Sequence, residues 1–105
     1  MRAIHLARLD KTRPVLVLTR PWVQPHLTHV TVAPITTRIR GISVEVPVGP
    51  ANGLEHASVV NCDGVQTIFR TDLGRHLGYL RDHDEPALAA AILAAFNLST
   101  ALEGR

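Results

Sequence analysis

The sequence predicts a small, mainly β barrel: five to six short antiparallel strands, a short helix and a C-terminal helix. Three observations carry this. Short apolar or β-branched runs alternate with turn residues through most of the chain. One of those runs contains a proline, as strands at a sheet edge do. Clear helical spacing appears only near the C-terminus. With 105 residues there is room for one domain, 1–105.

Residues 3–9 are mixed in character and read as the first strand, with Asp10-Lys11-Thr12 as a tight polar connection. Val15-Leu16-Val17-Leu18 is continuously apolar, the pattern of a strand buried on both faces. Residues 21–29 contain Pro21, Pro25 and the isolated Trp22, and read as a loop that either covers a ligand or packs its tryptophan. Residues 28–33 are β-branched and form the third strand, followed by a loop over 34–41. In 43–48, Val44, Val46 and Val48 share one face, Glu45 takes the other, and Pro47 marks a sheet edge. A turn at 49–53 leads to strands at 58–62 and 66–69, separated by Asp63-Gly64. Thr71-Asp72 can cap a short helical turn holding Leu73 and Leu77, which Gly78 would end. Asp84 as N-cap, Glu85 and Pro86 then open a helix in which Leu88, Ala91, Ile92, Ala95 and Phe96 recur at helical spacing.

Composition narrows the function. A hydrophobic fraction of 46% argues against disorder. Cys62 is the only cysteine, so no internal disulfide forms, and a reducing compartment suits the chain. Arg2, His5 and Arg8 break up any N-terminal leader pattern, and no stretch reaches the roughly 20 apolar residues that span a bilayer. The expectation is a cytoplasmic protein with no membrane contact. Charge is uneven: residues 1–44 carry seven basic groups against one acid, and 45–105 carry four against eight. The positive half suits a polyanion, although solvated surface charge gives the same count.

Two segments carry chemistry. In Arg13-Pro14, proline holds Arg13 extended at the mouth of a buried strand. A guanidinium there stays charged and presents a planar fork of N–H donors, suited to a phosphate and to charge developing on it. In Pro34-Ile35-Thr36-Thr37, two hydroxyls stand after the third strand, and the loop continues to Arg38 and Arg40, which can steer a nucleic-acid backbone. Each segment alone also reads as ordinary strand-end residues. His26-x-x-His29 lacks a Cys or acid to complete a ligand set, so no metal is expected. His56, His76 and His83 read as surface groups, and Cys62 as an apolar filler.

The ordered pair Arg13-Pro14 and Pro34-x-Thr36 resembles the MazF/PemK toxins of type II toxin–antitoxin systems. Gly53-Leu54, Ser58-Val59-Val60, Asp63, Thr67-Ile68, Leu73 and Gly78-Tyr79-Leu80 extend the likeness over nearly the whole chain. The resemblance implies an SH3-like barrel, a homodimer, a MazE-like antitoxin partner, and cofactor-free, metal-independent cleavage of single-stranded RNA. It implies Arg13 and Thr36 as the catalytic pair, and Lys11, Thr37, Arg38, Gln66 and Thr67 as RNA contacts. The chain departs from the family in a reduced N-terminal segment and a short first loop, which leaves His5 and Asp10 as candidates for moving a proton. Two other functions share the barrel: a CcdB-like toxin that binds gyrase, and an RNA-binding barrel without catalysis.

Overall fold

The strands run β1 (Arg2–Arg8), β2 (Thr12–Val17), β3 (His29–Thr36), β4 (Glu45–Val48), β5 (Ser58–Asn61), β6 (Gln66–Phe69) and β7 (Leu73–Leu80), followed by helix α1 (Glu85–Ala95). These come from a computed structural model that describes residues 1–99. The strands form one antiparallel sheet in the order β4-β5-β3-β2-β1-β7, with β6 also paired to β3. β3 therefore meets two strands along one edge: β6 beside His29 to Val32, and β5 beside Ile35 and Thr36. A 3₁₀ turn at Cys62–Gly64 joins those two strands and bends the sheet, giving a curled half-barrel.

The apolar run in β2 serves two cores. Leu16 points into a cluster with Ile4, Ala33, Ile35, Val46, Val60 and Leu80, which α1 covers with Leu88 and Ala91. Val15 and Val17 point the other way, to Ala7, Val30 and Val32. Burial on both faces, expected from the sequence, follows from this division. β4 is an edge strand that buries Val46 and Val48 and exposes Pro47, so the missing N–H costs no ladder bond.

Three expectations are corrected. The short helix over 71–78 is a strand: a single 3₁₀ turn at Arg70–Asp72 leads into the eight residues of β7, which pair with β1. Four-residue spacing of Leu73 and Leu77 fits a strand as well as a helix. Gly78 ends nothing. It lets β7 touch the turn at Pro50–Asn52, where a Cβ on Gly78 would lie 2.1 Å from the Asn52 carbonyl oxygen and one on Gly53 2.0 Å from that of Leu77. Asn52 closes this junction by donating from Nδ2 to the Tyr79 carbonyl at 2.9 Å. The extra strand raises the total to seven among the described residues.

The second correction concerns β3, which runs on through Pro34 and Ile35 to Thr36, so the expected loop starts later. The third concerns Asp84. It occupies the N-cap position of α1, but its side chain makes no capping bond and faces His83 at 3.5 Å. The helix start is held instead by Arg2, whose Nε and Nη2 donate to Glu85 at 2.9 and 2.7 Å and whose Nη1 donates to the Leu18 carbonyl. No helix among the described residues is long and apolar enough to cross a membrane.

Candidate active site

Alternation along paired strands decides what meets what. β2 and β3 pair with Val15 opposite Pro34 and Val17 opposite Val32. Continuing that register places Thr36 opposite Arg13 on the same face of the sheet. Both side chains line an open cleft of about 360 Å³ together with Pro34, Arg38, Arg40 and Asn61. The cleft thus gathers three of the seven basic residues of the first half, along with one hydroxyl and one amide.

Arg13 is held along one edge. Its Nε and Nη2 donate to the two carboxylate oxygens of Asp10, each at 3.0 Å. That bidentate pair leaves Nη1, with its two N–H groups, to meet a ligand. Arg13 lowers the Asp10 carboxyl from 3.8 to about 2, helped by the backbone N–H of Lys11, and Asp10 in return raises Arg13. Asp10 is therefore an ionised acceptor at ordinary pH. Thr36 is half-buried, and its Oγ1 accepts from the Arg38 N–H at 3.1 Å. Its own O–H is then the group left to donate into the cleft.

Glu45 lies on the face opposite Val44, Val46 and Val48, as its alternation predicts, yet its side chain is shielded there. Its side chain is 3% exposed, tucked beneath the loop that carries Arg38 and Arg40. Glu45 pairs with Asn61, and Asn61 continues the β3–β5 register opposite Pro34, so both lie on the cleft's face. Burial pushes the Glu45 carboxyl up, but N–H groups of Gly41, Arg40 and Ile42 and the Arg40 guanidinium outweigh it and hold the carboxyl low. Sequence reading missed both Glu45 and Asn61. The signal for Glu45 is a single acid five residues after Arg40, in a strand otherwise built of valine and proline.

The remaining predicted residues scatter. Lys11 is exposed in the β1–β2 turn beside Asp10. Gln66 is exposed opposite Val32, on the cleft's face but outside its lining. Thr37 lies one residue past Thr36 and faces a different cleft, with Pro14, Leu54 and His56. Thr67 is on the opposite face of the sheet from Gln66, its hydroxyl 3.3 Å from that of Thr31. His5 is also apart from Arg13: its Nδ1 lies 3.0 Å from the Gly74 carbonyl oxygen and its ring meets His76 edge-on at 5.1 Å. Trp22 is 72% exposed, which excludes core packing, and it lines a further cleft with Arg20, Asp82 and Glu85. His29 stacks on Phe69. Cys62 is buried, and that burial, with the charge of Asp63, pushes its thiol pKa up, as expected of a filler rather than a nucleophile.

Comparison with known proteins agrees with this architecture. Endoribonuclease MazF3 of Mycobacterium tuberculosis is 63% identical over 98 residues, covering 93% of this chain and 95% of that protein. Probable endoribonuclease MazF5 of the same organism is 38% identical over 88 residues, or 83% of this chain and 81% of that one. The solved structure of the M. tuberculosis toxin MazF-mt6 superposes with a TM-score of 0.92 at 62% identity, over 94% of this chain and all of that one. The model of the PemK-like, MazF-like toxin of type II toxin–antitoxin systems matches residues 5–96, and the chain belongs to that family.

Proposed function

We propose that this chain is the endoribonuclease toxin of a toxin–antitoxin pair, and that it cuts single-stranded RNA in the cleft between Arg13 and Thr36. The observation that carries this is the register-matched arginine and threonine on one face, each with a donor left free, inside a cleft ringed by further arginines. A backbone phosphate is the ligand that uses such a set: negative, tetrahedral and able to accept from several directions at once.

The chemistry follows from those donors. The ribose 2′-oxygen attacks the adjacent phosphorus as its proton departs. The bond from phosphorus to the 5′-oxygen breaks, and that oxygen takes up a proton. The products are a 2′,3′-cyclic phosphate and a 5′-hydroxyl. Negative charge grows on the non-bridging oxygens in the transition state. The free N–H groups of Arg13 meet that charge, and Thr36 donates to a neighbouring oxygen and orients the phosphate. Arg13 acts electrostatically, because a guanidinium paired with Asp10 is raised still further and does not serve as a base. Asp10 fixes its angle. The protein works as a cytoplasmic homodimer, and an antitoxin neutralises it by covering the RNA cleft.

The test is cleavage of a single-stranded RNA by the purified full chain with a chelator present. Wild type cuts, and Arg13→Ala and Thr36→Ala each abolish cutting. Undiminished cleavage by either variant overturns the assignment, as does a wild-type protein that leaves RNA intact while inhibiting supercoiling by gyrase.

A further inference from the structure

Between β3 and β4 the chain must place two arginines over the cleft from a loop, residues 37–44, that is exposed up to Ser43 and contains no regular strand or helix. Such a loop ordinarily costs a ligand affinity, because binding has to freeze it. Here the loop is tied at both ends. At its start, the Arg38 N–H donates to the Thr36 hydroxyl and the Ile39 N–H to the Thr37 carbonyl at 3.1 Å. At its far end the Val44 carbonyl accepts from the Cys62 N–H at 3.0 Å, and residues 40–42 converge on one carboxylate. Glu45 Oε1 accepts from the backbone N–H groups of Gly41 at 2.8 Å, Arg40 at 3.1 Å and Ile42 at 3.4 Å. Oε2 lies 3.3 Å from both the Arg40 N–H nitrogen and Arg40 Nε. The Glu45 N–H itself donates back to the Ile42 carbonyl. Gly41 makes the wrap possible with φ +71°, a conformation costly for residues with a Cβ.

We propose that Glu45 is a positioning residue for RNA: its buried carboxylate holds residues 40–42 so that Arg40 stands preformed over the Arg13–Thr36 cleft, where it grips the backbone phosphate next to the scissile one. This rests on the RNA-cleaving reading above. An acid placed at a polyanion site repels the ligand unless it does something else, and what Glu45 does is organise positive charge. Its own charge is offset by four N–H donors and shielded beneath the loop, so the cleft presents guanidinium groups. The near end of the loop does not depend on Glu45, so Arg13 and Thr36 keep their places without it.

The sign of the effect separates this role from simple electrostatics. If charge alone matters, Glu45→Gln removes a negative charge beside RNA and tightens binding. If Glu45 positions the loop, the Gln NH2 stands where Oε2 accepted from Arg40 and meets it donor to donor, the remaining amide oxygen holds the backbone N–H groups without the help of a charge, the loop loosens, and binding weakens. We expect KM for a single-stranded RNA to rise about tenfold while kcat at saturating RNA stays within about twofold of wild type. The slope of log affinity against log salt should fall by about 0.7, one single-strand phosphate contact. Amides of residues 40–42 should exchange faster and those of β2 and β3 should not. An unchanged or lowered KM, or a fall in kcat alone, overturns the proposal.

Gly41→Ala provides a second route should Glu45→Gln fail to fold. An added Cβ there meets nothing within 4 Å, so only the loop backbone is strained. KM should rise again with kcat preserved, and a normal KM refutes the idea. Failure of the underlying reading looks different: wild type does not cut RNA, or Arg13→Ala still does.

Discussion

Replacing Thr36 by valine removes one hydroxyl and keeps the shape and β-branching of the side chain. Two interactions change. The Arg38 N–H loses its acceptor at 3.1 Å, but that bond is exposed and water replaces it at little cost. In the proposed mechanism the cleft also loses the donor to the scissile phosphate, and nothing replaces that. Loss of one preorganised donor to a developing oxyanion typically lowers kcat about 10²–10³-fold, or roughly 2.7–4 kcal/mol. Serine restores the oxygen with one more free rotamer, so Thr36→Ser should retain activity to within about tenfold. The assay is single-turnover cleavage of a labelled RNA oligonucleotide with protein in excess, which isolates the chemical step from binding. Melting temperature serves as a control and should move by less than about 3 °C in both variants, because Thr36 ends its strand at the rim of the sheet. A valine variant that cuts within threefold of the wild-type rate refutes the role, and so does a serine variant as slow as valine.

Other consequences follow from the same geometry. Gly78→Ala drives a Cβ to 2.1 Å from the Asn52 carbonyl oxygen, so the turn at Pro50–Asn52 must shift and the Asn52–Tyr79 bond is lost. Overpacking and one broken bond together should cost about 2–4 kcal/mol, or roughly 10–20 °C of melting temperature for a domain of this size. Thermal unfolding followed by circular dichroism measures it, and a drop below about 3 °C would show that the junction yields freely. The Asp10 carboxyl is depressed from 3.8 to about 2, so the Arg13–Asp10 pair is fully formed above the ordinary carboxyl value and is lost as pH falls toward about 2. The pH–rate profile of Asp10→Asn should therefore keep any inflection that wild type shows above about pH 5; its disappearance would make Asp10 the titrating group. Cys62 is buried, with its pKa pushed up, so iodoacetamide should label it slowly in the native protein and rapidly in urea. Equal labelling rates would contradict that burial.

What the sequence revealed and what it hid separate along a physical line. Features set by neighbours in the chain were legible. Val15 to Leu18 read as doubly buried because every residue is apolar, and Pro47 read as an edge because it lacks an N–H. Arg13 and Thr36 stood out because Arg13 directly precedes Pro14 and Thr36 follows Pro34 by two residues, a local signal that also carries the family likeness. Features set by distant partners were not legible. Leu73 and Leu77 fit either a strand or a helix, and the choice is made by pairing with β1 and by the approach of Gly53 to Leu77. Alternation shows only that Glu45 faces away from the valines, not that the loop before it folds back and covers the carboxylate. Thr37 is an intermediate case. Alternation places it on the opposite face from Thr36, but only once β3 is known to continue through Thr36.

The charge pattern shows why the distinction matters for function. Taken as a total, the basic excess of the first half says only that a polyanion would be welcome. The fold divides that charge into different tasks. Arg2 spends its fork on Glu85 and the Leu18 carbonyl and fastens α1 to the sheet. Arg13, Arg38 and Arg40 converge on one cleft, two of them tethered by carboxylates, Asp10 and Glu45, that are themselves acids in a basic region. Each acid lowers the net positive charge near the site, yet each removes freedom from a long side chain or a loop that RNA would otherwise have to order on binding. A small, shallow cleft with few contacts depends more on such preorganisation than a deep one does, because it has less binding energy from which to recover the ordering cost. On that reasoning, adding positive charge elsewhere on the surface should raise nonspecific RNA binding without raising the cleavage rate, whereas loosening either tether should weaken the cleft even as the net charge becomes more favourable.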